Sequence, residues 1–432
     1  MLALLLCGAA SAQAANPLFV LNSLDANVSV IDPTTFTEIR RLPTGKEPHH
    51  LYPTPDNRHV VIGNAVSNSL TFLDPVTGNH EFSIKGVDDP YFLLFNANKK
   101  SITVNLSKPE GQAIVRELAK QCDVLVENYK VGDLARYGLG YDDLKKDNPG
   151  LIYCSVTGFG QTGPDRDRPG YDFMAQGMGG LMSITGERDD LPGGGPQRVG
   201  VPIIDLTTGM YATIAICAAI ANRAVTGQGQ WIDVALLDTC VAFLGNQAMN
   251  YFATGESPKR IGNAHPNIVP YQTFNTADGA VILACGNDNL FNKFCEAAGC
   301  TDLLKNPIFA TNADRVKNRV ETTRILNEIF LKRTTAEWVK LLDDAGVANG
   351  PINMIEDVFK EPQVIARGMK IELPHAVAGK VPLVASPMKF SETPIKHEVP
   401  PPVVGQHSDE ILRNVLKKTD AQIAQLRSGG IV

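Results

Sequence analysis

One carboxylate in this 432-residue chain is placed where it could act as a nucleophile. The run Ile203-Ile204-Asp205-Leu206-Thr207-Thr208-Gly209 leads into a long apolar stretch with helical spacing, through Ala212, Ile216, Ala219 and Ile220 to about Arg223. Asp205 stands at the junction. An aspartate there can cap the helix by accepting from its first free N–H groups. The same position favours negative charge through the helix dipole. A carboxylate held ionised there can attack a thioester and form a covalent acyl intermediate. The two roles are compatible, and residue type alone does not choose between them.

Other reactive groups point to less. Eight cysteines occur, none as Cys-x-x-Cys, so a metal site and a disulfide framework are both weak readings. Cysteines in apolar runs, such as Ile216-Cys217-Ala218, read as buried reduced thiols that suit a reducing compartment. The stretch Gly158-Phe159-Gly160-Gln161-Thr162-Gly163-Pro164 and the run Gly193 to Gly195 match neither a P-loop nor a dinucleotide fingerprint. They read as loops over a site whose backbone N–H groups could serve a developing oxyanion. The formal net charge of −6 provides no basic face for nucleic acid. His265 reads as a loop imidazole bonded to backbone, and His407 as structural.

These residues need a scaffold, and the chain supplies two kinds. From about residue 93, helical and strand patterns alternate: Lys108 to Cys122 as a helix, Val124-Leu125-Val126 as a short strand, and Leu151 to Val156 as a buried strand. That alternation predicts an α/β domain with a parallel sheet. Residues 16–92 differ. Val28-Ser29-Val30-Ile31-Asp32-Pro33 is echoed by Leu70-Thr71-Phe72-Leu73-Asp74-Pro75, and Pro48-His49-His50-Leu51 by Pro90-Tyr91-Phe92-Leu93, at the same offset. Short β-runs repeating at roughly 40–45 residues suggest propeller blades, about two of them. Residues 1–15 read as a signal-peptide-like segment with Ala12-Gln13-Ala14 as an A-x-A site. No later stretch is long and uninterrupted enough to predict a membrane span.

A series of motifs carries a resemblance. Glu127-Asn128-Tyr129-Lys130, Gly138-Leu139-Gly140-Tyr141-Asp142-Asp143-Leu144, Asn148-Pro149, Tyr153-Cys154-Ser155 and the Gly158 to Pro164 run come first. They are followed in order by Arg168-Pro169-Gly170-Tyr171-Asp172, Thr226 to Val234, and Gly405-Gln406-His407-Ser408-Asp409-Glu410-Ile411-Leu412. Together they resemble family III CoA-transferases, of the formyl-CoA transferase and L-carnitine CoA-transferase type, from about residue 93 to the C-terminus. Residues 16–92 resemble a YncE-like β-propeller protein.

The resemblance implies the rest. The fold would be a Rossmann-like large domain (93–261 and 356–432) with a small α+β domain (262–355), in an interlocked homodimer. The propeller-like fragment would replace the family's first βα unit, which helps hold the CoA adenosine. Asp205 matches the catalytic aspartate. Asn128, Tyr129 and Arg136 match positions lining the CoA site, and Tyr171 and Asp172 match its wall. Coenzyme A, as acyl-CoA, and a small carboxylic acid are the implied partners, with no metal. The implied location is the cytoplasm, with export as the alternative given the N-terminus. The alternatives in function are an acyl-CoA racemase of the same superfamily, an inactive fusion, and a secreted propeller-type binding protein. Related racemases carry His where this chain has Tyr171.

Overall fold

The computed structural model describes residues 18–22, 25–44, 48–53, 58–64, 69–76, 79–85, 90–376 and 379–432. The signal-peptide-like segment, 1–15, lies outside them. By internal packing the chain divides into two units, Met1–Ile114 with Ile355–Val432, and Val115–Met354. The stretch expected as the small domain thus shares one unit with most of the first part of the large domain, and the return stretch 356–432 lies in the other.

The first unit opens with two antiparallel meanders. Strands β1 (Leu18–Asn22), β2 (Asn27–Ile31) and β3 (Glu38–Pro43) form one sheet. Strands β4 (Pro48–Pro53), β5 (Val60–Asn64), β6 (Ser69–Leu73) and β7 (His80–Lys85) form the other. Strands β1, β2 and β3 recur as β5, β6 and β7 at an offset of 42 residues. Alternating residues Phe19, Val28, Val30, Leu51, Val60, Ile62 and Leu73 fill one core. The Asp-Pro turns repeat as well. Asp32 accepts from the N–H groups of Thr34 and Thr35, and Asp74 from that of Val76.

The repeat then breaks. Pro48-His49-His50-Leu51 lies on β4, but its echo lies on a helix, α1 (Pro90–Phe95). A strand at Pro90 would need a neighbouring blade to pair with. Instead Leu93, with Ala97, packs against Leu373, Val381 and Leu383 of a C-terminal hairpin. Tertiary burial here overrides local pattern.

After α2 (Pro109–Ala119), the second unit holds a parallel sheet, as the alternation predicted. Its elements are β8 (Val124–Glu127), α3 (Tyr141–Asp147), β9 (Ile152–Thr157), α4 (Asp172–Met178), α5 (Leu181–Ile184), α6 (Ile203–Thr226), β10 (Trp231–Ala235), α7 (Leu236–Phe243) and α8 (Asn246–Thr254). The strand order is β10-β9-β8. Among the described residues β8 is an open edge, and Val126 on it is 57% exposed. Parallel sheets are ordinarily covered, so this edge marks surface that another element would bury.

Helix α6 is long and apolar enough, by length and composition, to cross a membrane, although only 28% of that stretch is buried. Within the unit it packs on β9, β10 and α7. Cys217, expected to be buried, is exposed on it, because the face that carries it has no neighbour within the unit.

The unit continues through β11 (Tyr271–Asn275), β12 (Ala280–Ala284), α9 (Asp288–Ala298), α10 (Asn312–Lys317), α11 (Arg319–Phe330), α12 (Thr335–Asp344) and β13 (Ala348–Pro351), with strand order β11-β12-β13. Its core is aromatic: Phe330 stacks on Phe274 at 4.6 Å and lies 4.5 Å from Trp338. Capping boxes at Thr311/Asp314 and Thr334/Glu337 start α10 and α12. Arg315 is fully buried beside this core. It donates to the carbonyls of Val269 and Phe309 and to Asp288, and lies 4.2 Å over the Phe291 ring. Arg315→Ala is expected to destabilise the protein by about 3 kcal/mol, since two buried carbonyls lose their donor. Urea unfolding measures the loss.

Back in the first unit, β14 (Lys370–His375) and β15 (Gly379–Val384) form the hairpin under α1. The Gly405 motif binds the chain near residue 101. His407 Nδ1 accepts from the Ser101 N–H, and the Gly405 N–H donates to Ser101 Oγ. His407 is accordingly structural.

Candidate active site

Strand β9 runs through the middle of the parallel sheet and ends at Thr157. The loop that follows, 158–170, is pinched at its base. A Cβ placed on Gly158 would lie 2.4 Å from the Gly170 Cα, and one on Gly170 would lie 2.3 Å from the Gly158 Cα. Backbone meets backbone there, so only glycine fits at either end. This closure brings Tyr171 back beside the end of β9 and starts α4. Gly170→Ala is expected to destabilise the protein by about 2 kcal/mol through overpacking and to shift Tyr171; thermal melting and tyrosine-region circular dichroism read both effects. Within the loop, Gly160 N–H donates to Thr157 Oγ1 and Gln161 N–H to Asp233. In the other glycine run, Gly194 and Gly195 donate to the carbonyls of Leu191 and Glu187. These four N–H groups are engaged, so the expected supply of free donors is not at those positions.

A small cleft of about 190 Å³ lies between the end of β8 and this loop, and Asn128, Tyr129 and Tyr171 line it. Three residues expected from sequence to share a site thus line one cleft. Asn128 donates to the Val156 carbonyl at 2.6 Å, tying the end of β8 to β9. Tyr129 and Tyr171 are 49% and 71% exposed, so both rings are open to a ligand. Lys130 and Arg166 also line the cleft and the adjoining one of about 270 Å³. Arg166 was not singled out from the sequence, though its run Asp165-Arg166-Asp167-Arg168 inside a glycine-rich loop is a visible signal. Arg136 is not among the residues lining either cleft. It sits on the 3-10 turn Ala135–Tyr137, 3.5 Å from Asp133 and over the Tyr137 ring. His265 accepts from the Asn267 N–H through Nδ1 and packs on Tyr271, in keeping with a loop imidazole.

Asp205 is not the cap of α6. The helix begins at Ile203 with Pro202 before it, which puts Asp205 in the first turn. The capping acceptor comes from another element. Asp172 Oδ1 accepts from the N–H groups of Ile204 (2.7 Å) and Asp205 (3.2 Å). Asp172 is only 8% exposed, and its Oδ2 accepts from Gln176 Nε2 at 2.6 Å. Its carboxylate thus faces α6 from inside the wall. Tyr171, one residue earlier, faces the cleft. Asp205 is freed from the capping role, and its side chain remains open to solvent.

The electrostatics follow from this arrangement. Although solvent reaches Asp205, the surrounding protein removes part of its hydration, and the neighbouring Asp172 carboxylate repels its charge. Together they raise its pKa to about 6. The helix dipole acts the other way but does not outweigh them. At neutral pH the group is still mostly ionised, and its raised basicity makes it a stronger nucleophile than an ordinary carboxylate. Asp205 is not among the residues lining either cleft; its backbone is joined to them through Asp172, the residue after the cleft-lining Tyr171. An exposed, basic, ionised carboxylate is suited to acyl transfer.

Comparison with known proteins bears on this site. The profile of CoA-transferase family III matches residues 73–408. That of the YNCE-like beta-propeller matches residues 3–128, so the two overlap. The chain is 43% identical over 347 residues to human succinyl-CoA:glutarate CoA-transferase, covering 80% of this chain and 78% of the relative. It is 45% identical over 322 residues to succinate–glutarate CoA-transferase of Agrobacterium fabrum, covering 74% and 80%. Acetyl-CoA:oxalate CoA-transferase of Acetobacter aceti is 38% identical, with coverage of 72% and 78%. The crystal structure of a CAIB/BAIF family protein from Brucella suis superposes with a TM-score of 0.66 at 46% identity, over 79% of this chain and 86% of that one. With the profile spanning most of the sequence, relatives matched over most of both chains, and the mixed α/β fold shared, the chain belongs to CoA-transferase family III.

Proposed function

We propose that this protein transfers CoA from an acyl-CoA donor to a carboxylic acid acceptor through covalent intermediates on Asp205. The observation that carries this is the Asp205 carboxylate itself: released from capping by Asp172, solvent-accessible, and raised in pKa by lost hydration and by Asp172.

The steps balance without water or an external acid. An Asp205 oxygen attacks the thioester carbonyl, the C–S bond breaks, and a mixed anhydride and CoA thiolate form. The thiolate attacks the aspartyl carbonyl of that anhydride, releasing the donor acid and leaving an aspartyl-CoA thioester. The acceptor carboxylate attacks this thioester, again giving an anhydride and thiolate. Attack of the thiolate on the acceptor carbonyl yields the new acyl-CoA and free Asp205. Water would hydrolyse every one of these intermediates, so the site must be closed during turnover. Tyr129, Tyr171 and Asn128 would flank the thioester arm, and Lys130, Arg166 and the more distant Arg136 offer cationic groups to CoA phosphates.

Relatives named for succinyl-CoA and glutarate make C4 and C5 dicarboxylates the first substrates to test. The assay is formation of glutaryl-CoA from succinyl-CoA and glutarate, followed by chromatography. The racemase alternative has less support, since Tyr171 stands where a histidine acid/base would be needed.

The active form in this proposal is a homodimer. Helix α6 exposes Met210 (62%), Ile214 (64%) and Val225 (88%), and α8 exposes Met249 (62%) and Phe252 (73%). Apolar surface of this extent is rarely left in water. A second copy is the proposed cover, and light scattering measures it. The propeller-like segment would stand in place of the first βα unit of the family, which is expected to weaken the hold on the CoA adenosine. The free thiols at Cys122, Cys154, Cys217, Cys240, Cys285, Cys295 and Cys300 support a reducing, cytoplasmic location.

A further inference from the structure

Gln176 lies on α4, one turn after Asp172, and is fully buried at 0% exposure. Both ends of its amide are used. Nε2 donates to Asp172 Oδ2 at 2.6 Å, and Oε1 accepts from the Val199 N–H at 2.9 Å. Asp172 in turn accepts from Ile204 and Asp205. A continuous chain of hydrogen bonds therefore runs from the segment entering α6, through Gln176 and Asp172, to the backbone of Asp205 itself. We propose that Gln176 is a positioning residue for Asp205: it fixes the Asp172 carboxylate under the first turn of α6 and anchors Val199, so that the nucleophile is held in one position at the start of that helix.

The chemistry requires this residue type. Asp172 is a buried carboxylate whose Oδ2 accepts from Gln176, and a buried acceptor that loses its donor is costly. An amide is the neutral side chain that gives one donor and one acceptor in opposite directions. A lysine in this place would neutralise Asp172 and could not accept from Val199. A leucine would leave both partners unpaired. The charge facing Asp205 is that of Asp172 from α4, and Asp172 is faced in turn by Asp205 from α6 and by the buried Cys240 thiol from α7. Among the described residues the only charge that shifts Asp205 is that of Asp172, so the fixed orientation of Asp172 decides how strongly Asp205 is repelled.

The inference rests on Asp205 being the nucleophile, and the test separates the two. Gln176→Leu and Gln176→Glu are made in the full chain and compared with wild type for kcat, KM for succinyl-CoA, and pH profile, with folding checked by thermal melting. Gln176→Leu is expected to lower kcat by roughly 10- to 100-fold, with KM within about twofold, because the reacting group is displaced and the substrate site is not. Gln176→Glu keeps a donor towards Asp172 only while protonated. The ratio of its kcat to that of wild type is therefore expected to fall as pH rises, which a packing role alone does not produce. If Gln176→Leu fails to fold, this ratio carries the test alone. Wild-type kcat in Gln176→Leu, or a ratio that is flat with pH, overturns the proposal while leaving Asp205 in place. Absence of any Asp205 adduct in the wild type removes the nucleophile and the relay with it.

Discussion

Replacing Asp205 by alanine is expected to lower CoA transfer at least ~1,000-fold, with acyl-CoA binding retained within a few-fold. The size follows from the role: removing a covalent nucleophile eliminates the route itself and not one contact along it. The isostere Asp205→Asn should be equally inactive and also more stable. The wild-type carboxylate is raised in pKa to about 6 by lost hydration and by Asp172. The folded state thus disfavours its ionised form. Stability contributed by this group is greatest below its unfolded pKa, falls as pH rises towards 6, and stays low above it. At pH 7.5 the asparagine variant is therefore expected to melt higher, by a few degrees at most because solvent still screens the charge. A variant that is inactive yet more stable is the signature of a strained catalytic group. Loss of activity with a lowered melting temperature would indicate a structural residue.

The pH dependence of the first acyl transfer is the second large effect. The attacking form is the ionised one. With a pKa of about 6, Asp205 is roughly nine-tenths ionised at pH 7 and roughly one-tenth at pH 5. The rate should fall about tenfold per pH unit below 6 and be flat above 7. Asp172→Asn removes the like charge, so the falling limb should move to lower pH. Single-turnover release of CoA thiol, followed with a thiol reagent across pH 4.5–8, measures both profiles. A limb near pH 4 in the wild type would show that the carboxylate is fully solvated in the working enzyme.

Several of these features were legible in the sequence because they are local. The apolar period of α6 and the buried run of β9 announce themselves, and Asp205 lies where a helix pattern begins. The motifs placed Asn128, Tyr129 and Tyr171 on one cleft. What was not legible depends on partners far along the chain. The cap of α6 comes from Asp172, 33 residues away from Asp205, and no local pattern reveals a cap of that kind. Arg136, matched by motif, proved to sit with Asp133 outside the clefts, while Arg166 lines both. The echo of β4 at Pro90 keeps its sequence likeness but folds as α1, since Leu93 finds its burial against the C-terminal hairpin. Cys217 sits in an apolar run and is nevertheless exposed, because apolar sequence reports that a face needs covering and not what covers it.

The mass of the Asp205 peptide after brief incubation with succinyl-CoA bears most directly on the central claim. Acid quenching and proteolysis should give a peptide carrying CoA in thioester linkage on Asp205, and adding glutarate before the quench should remove it. The adduct should be missing from Asp205→Asn. An unmodified Asp205 peptide under conditions where glutaryl-CoA is being formed would contradict the mechanism, whatever family the chain belongs to.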